Sequence, residues 1–74
     1  MRETKLKVEG MYKESQKEDI RKLLQALDRV GKIEFDPQGI FVIVHHDPTS
    51  QDGSALVKAL EKRFKASIEK FRDY

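Results

Sequence analysis

The sequence predicts an α+β domain in ferredoxin-like order, β-α-β-β-α-β: a four-stranded antiparallel sheet with two helices on one face. Three observations predict it. Short stretches alternate apolar and polar residues, as half-buried strands do. Two stretches between them repeat apolar residues at helical spacing, so each carries one apolar stripe. Gly, Pro, Asp and Ser punctuate the boundaries. Two stripes and four alternating faces can bury one another as two layers around one core.

Residues 4–9 form the first strand, with Leu6 and Val8 inward and Lys5, Lys7 and Glu9 outward. Ser15-Gln16-Lys17-Glu18 reads as a capping box, with Ser15 as N-cap and Glu18 reaching back to it. The first helix then carries Ile20, Leu23, Leu24, Leu27 and Val30 on one stripe, and Gly31 is placed to end it in the left-handed conformation. Residues 32–36 alternate again, with Ile33 and Phe35 inward. Asp36-Pro37-Gln38-Gly39 is a turn, Gly39 supplying a positive φ. Residues 40–46 are the third strand. Asp47-Pro48-Thr49-Ser50 ends it, with Thr49 or Ser50 as the N-cap of the second helix and Asp52 suited to that helix's positive end. Leu56, Val57, Leu60 and Phe64 face inward from the second helix. Residues 66–71 are the last strand.

At 74 residues the chain makes a single domain, residues 1–74, with a thin core. A chain this short buries only about 60% of what its unfolded form exposes. It contains no cysteine, so no disulfide supports it and a cytoplasmic location is the default. No apolar run approaches the roughly 20 residues of a membrane span. Fifteen Lys and Arg against thirteen Asp and Glu give a net charge of +2. That surface is densely charged, nearly balanced and soluble, without the basic excess of a typical nucleic-acid binder.

Between the first strand and the first helix stands Gly10-Met11-Tyr12-Lys13-Glu14-Ser15-Gln16. This stretch resembles the Gly-Met-x-Cys-x-x-Cys loop of heavy-metal-associated domains, the small copper-chaperone-like modules. Further along, Leu27-Asp28-Arg29-Val30, Val42-x-Val44-x-His46-Asp47-Pro48 and Phe64 fall in family order and spacing, so the resemblance spans residues 6–68. It implies the ferredoxin-like fold, an aromatic beside the metal loop, and a loop that meets partner domains. It does not carry the metal. Lys13 and Gln16 occupy the two cysteine positions, which with Met11 makes this a degenerate metal loop. Soft ions such as Cu(I) select soft thiolates; a protonated ammonium has no lone pair, and an amide is a hard, weak donor.

Other candidate sites come from the residues themselves. His45-His46-Asp47 is the one cluster of metal-ligand types, yet neighbouring strand residues face opposite sides, His46 toward the helices and His45 away. The same alternation turns Phe41, Ile43 and His45 onto the open sheet face, where polar residues are expected. That row reads as a contact surface, for a homodimer or a protein partner. Its bland counterpart is that lysine stems of the first strand fold over the ring, or that Phe71 lies beside the row. RNA-recognition motifs share this strand order and stack bases on sheet aromatics, but one ring amid balanced charge supports that reading poorly. At the loop, Tyr12 and Lys13 are docking candidates.

No cysteine nucleophile, convergent carboxylate pair or phosphate-binding glycine loop is present, so catalysis is not expected. The sequence therefore reads as a cysteine-less, non-catalytic protein-interaction or regulatory module without cofactor. Its bets are Phe41, Ile43, His45, Tyr12 and Lys13. Two alternatives remain: metal binding through His45, His46 and Asp47, and weak single-stranded nucleic-acid binding on the open face.

Overall fold

The computed structural model describes residues 1–10, 13–37, 39–47, 49–50 and 52–73. The elements run β1 (Arg2–Glu9), α1 (Glu14–Gln25), β2 (Val30–Phe35), β3 (Phe41–His46), α2 (Gly53–Glu61) and β4 (Lys65–Asp73). The strands make one sheet in the order β2-β3-β1-β4, every neighbouring pair antiparallel. This is the predicted ferredoxin-like arrangement. The core is continuous between one sheet face and the helices: Leu6 and Val8 of β1, Ile33 of β2, Val42 and Val44 of β3, Ile20 and Leu24 of α1, and Leu56 and Leu60 of α2. Leu23, Leu27, Val57 and Phe64 pack around it. Among the described residues, no helix is long and apolar enough to cross a membrane.

Several boundaries differ from the sequence reading. The N-cap of α1 is Lys13, not Ser15, which lies inside the first turn. A lysine side chain cannot accept a hydrogen bond, so the cap is made from the other side: Gln16 Oε1 accepts from the Lys13 backbone N–H at 2.7 Å. Glu18, expected to reach back to Ser15, instead lies 3.6 Å from Arg21. At the far end α1 stops at Gln25, where the chain tightens with Leu27 N–H donating to the Leu24 carbonyl. The left-handed residue is Arg29, at φ +58°, and its carbonyl accepts from Asp47 N–H at 3.1 Å. Val30 and Gly31 already belong to β2, where the register with β3 shifts between Val30 and Ile33. Gly31 therefore sits in a sheet irregularity and does not end the helix.

Gly39 has the predicted positive φ, +74°, and its N–H donates to the Asp36 carbonyl at 2.9 Å, while Gln38 lies outside the described residues. The cap of α2 is Asp52, whose Oδ1 accepts from Ala55 N–H at 2.9 Å, rather than Thr49 or Ser50. Thr49 serves the preceding turn, donating backbone N–H and hydroxyl to Asp47 Oδ1. β1 and β4 are both longer than predicted because their outer residues pair with each other, Arg2 opposite Asp73. An ion pair of 2.6 Å joins those two side chains and holds the Asp73 carboxyl below the usual carboxylate range.

One polar pair lies inside the core. Thr4 and His46 are both fully buried, and Thr4 Oγ1 is 2.7 Å from His46 Nε2. Thr4→Val keeps the shape and removes this bond from a buried imidazole. The expected cost is about 1–3 kcal/mol, read as a lower urea midpoint with an unchanged m value.

Candidate functional site

The loop before α1 is built around Gly10, whose φ of +87° favours glycine. A Cβ there would stand 4.0 Å from the Phe64 ring, so the aromatic that the resemblance places beside the metal loop is beside it. Lys13 is exposed at the helix start and Gln16 is partly buried one turn later. Its amide oxygen is turned back onto the Lys13 backbone. The two cysteine-equivalent positions thus supply an ammonium and a capping amide. Met11 and Tyr12 lie outside the described residues.

Phe41, Ile43 and His45 do face away from the helices, alternating with buried Val42, Val44 and His46. Each is half-buried rather than bare. Lys5 Nζ sits 4.3 Å from the centre of the Phe41 ring, the lysine cover weighed from the sequence. His45 Nε2 lies 3.3 Å from Glu34 Oε1 and 3.8 Å from Glu3 Oε2. The Glu34 carboxyl is held below its ordinary range by hydrogen bonds from Lys32 and His45. Glu3 and Glu34 were not among the sequence candidates. They reach His45 from β1 and β2, and only the register that pairs Glu3 with His45 and Glu34 with Ile43 reveals it.

Phe71 does not join this row. It pairs with buried Thr4, which puts its side chain on the helix side, where the Arg2 guanidinium lies 4.5 Å from the ring centre. Nor do His45, His46 and Asp47 converge. His46 is buried against Thr4, His45 faces the other side, and the Asp47 carboxylate is occupied by Thr49, which holds it below the usual range. Among the described residues, no group of three or more His, Asp or Glu is placed to hold a metal ion.

No family model and no curated protein matches the sequence. Solved structures do match over nearly the whole chain. The copper-binding domain of HMA7, a P-type ATPase, superposes with a TM-score of 0.90 at 20% identity, over 99% of this chain and 100% of that one. The yeast copper transporter domain CCC2A gives 0.84 at 24% identity, over 95% and 97%. Oxidized MerP from Ralstonia metallidurans CH34 gives 0.82 at 18% identity, over 95% and 100%. At these identities the likeness is one of fold. The chain has the fold of these domains, and the resemblance read from the sequence holds at that level.

Proposed function

We propose that this chain is a divergent heavy-metal-associated domain that has given up thiolate metal binding and serves as a non-catalytic protein-interaction or regulatory module. One observation carries the reading. At the helix start where such a domain presents two thiolates, Lys13 offers an ammonium and Gln16 spends its amide oxygen closing the cap. The copper-binding structures of the same fold are named for a capacity these residues lack the donors to perform. What remains is the outer surface of a small domain: the open-face row of Phe41, Ile43 and His45, and the loop with Tyr12 and Lys13. A protein partner is the occupant for which this row is suited, since its one ring is already held under a lysine and offers little to a stacked base.

Phe41→Glu tests the sheet face. The ring is replaced at a half-buried position outside the core, so the fold is expected to survive, with an unchanged far-ultraviolet spectrum. Solution mass across a wide concentration range should fall from dimer to monomer if the partner is a second copy. A wild-type chain that is monomeric throughout sends the search to a foreign partner. Saturable Zn(II), Ni(II) or Cu(I) shifts in the amide spectrum of the wild type would sink the metal-free reading.

A further inference from the structure

We infer that the outer edge of β4 takes up an extended strand from another protein, one in which acidic residues alternate with apolar ones. This rests on the reading of the domain as an interaction module and adds a second surface to it. β4 is nine residues long, stands at the edge of the sheet, and pairs only with β1 among the described residues. Its backbone groups on the outer side are a template for a further strand.

The two faces of that edge differ in chemistry. On the open side, Lys65, Ser67, Lys70 and Arg72 stand opposite Glu9, Lys7, Lys5 and Glu3 of β1. Lys70 directly faces Lys5, a like-charge pair that disfavours the isolated sheet. Neither Lys65 nor Lys70 has an ion pair among the described residues. Lys5, Lys70 and Arg72 border a concavity of about 220 Å³ that Glu3, Ile43 and Phe71 also line. On the helix side, the register shift between Lys5 and Leu6 inserts Glu69 as an extra residue, so Ile68 and Phe71, three apart, share a face. They remain 45% and 59% exposed. Protected edges are short, charged or covered; this one is nine residues long and carries two exposed apolar side chains on its helix face, with Asp73 as the charge beside them.

An added strand with Asp or Glu on one side would neutralise Lys70, which faces Lys5 where Lys65 and Arg72 face Glu9 and Glu3, while its apolar side would cover Ile68 and Phe71. A second copy of the chain fits less well. Antiparallel pairing of two β4 edges needs a two-fold axis normal to the sheet, which keeps faces and runs two basic rows side by side.

The probe is a labelled synthetic peptide of about nine residues alternating Asp and Val, the length of a typical longer strand. Anisotropy and amide spectra should report saturable micromolar binding, with new amide protection along residues 65–73. Lys70→Glu should weaken it by about tenfold or more, because like charge at an interface is costly. Phe71→Asp should weaken it too, and N-methylation of alternate peptide residues should abolish it. Equal binding of a scrambled acidic peptide or an oligonucleotide, or shifts confined to Phe41 and His45, would overturn the edge assignment. So would the absence of binding, or a concentration-dependent dimer that Lys70→Glu strengthens. None of these bears on the metal-free reading, which stands or falls on the metal titrations of the wild type.

Discussion

Lys13→Cys combined with Gln16→Cys should convert this chain into a one-to-one Cu(I) binder, while the wild type fails to compete with a chromogenic Cu(I) chelator. The two positions are the N-cap and third residue of α1, one turn apart. Thiolates there gain from the free amides and positive end of a 12-residue helix, which lower a cysteine's pKa. Soft ligands then select the soft ion. The change has a structural cost, because Gln16 no longer caps Lys13. Loss of a cap is worth about 0.5–2 kcal/mol, so the metal-free double variant should unfold at lower urea and recover on loading. Single replacements leave one thiolate and should bind weakly. If the double variant ignores Cu(I), the loop is not a metal loop that lost its ligands, and the divergence from the metal-binding structures is more than two side chains.

Leu6→Ala should remove about 2–5 kcal/mol, a large share of the roughly 4–11 kcal/mol that a chain of this length holds in total. Leu6 is fully buried on β1, between β3 and β4, in one core with Leu24 of α1 and Leu60 of α2, and has Val42 and Ile68 as cross-strand partners. Pairing on both edges holds β1 in place, so a cavity left there closes only in part. The check is a urea titration followed by circular dichroism. A loss below about 1 kcal/mol, the scale of an ordinary surface change, would mean that the core is not centred on β1.

The fold was legible because alternation and stripe spacing survive any uncertainty at the ends. Leu6 and Val8, Val42 and Val44, Ile20 and Leu24, and Leu56 and Leu60 are core residues on both accounts. The ends were not legible, for a common reason. Ser15, Gly31 and Thr49 are residue types that favour caps and stops, but each lost its place to a neighbour with a better geometric offer. Gln16 capped from within the helix, Arg29 took the left-handed turn because Asp47 holds its carbonyl, and Asp52 stood nearer the first amides of α2. At the candidate site, the positions of Lys13 and Gln16 and the outward facing of Phe41, Ile43 and His45 could be read in advance. The neighbours of those residues could not. Lys5 over Phe41, and Glu3 and Glu34 at His45, follow from register, which the sequence leaves open. Phe71 changed sides for the same reason, since one extra residue in β4 inverts the alternation beyond it.

The placing of β1 also governs when this chain can fold. β1 is made first, yet it lies between β3 and β4, and its register with β4 joins residue 2 to residue 73. During synthesis, β1 can pair with β3 once residue 46 has cleared the ribosome. Its other edge stays open until the last strand emerges. The nascent domain thus spends the making of α2 and β4 with Leu6 and Val8 incompletely covered, the interval in which unpaired strands are prone to wrong partners. Closure of such a distant pair is slow compared with local helix formation. A ribosome stalled before residue 65 should hold a chain that proteases still cut within β1.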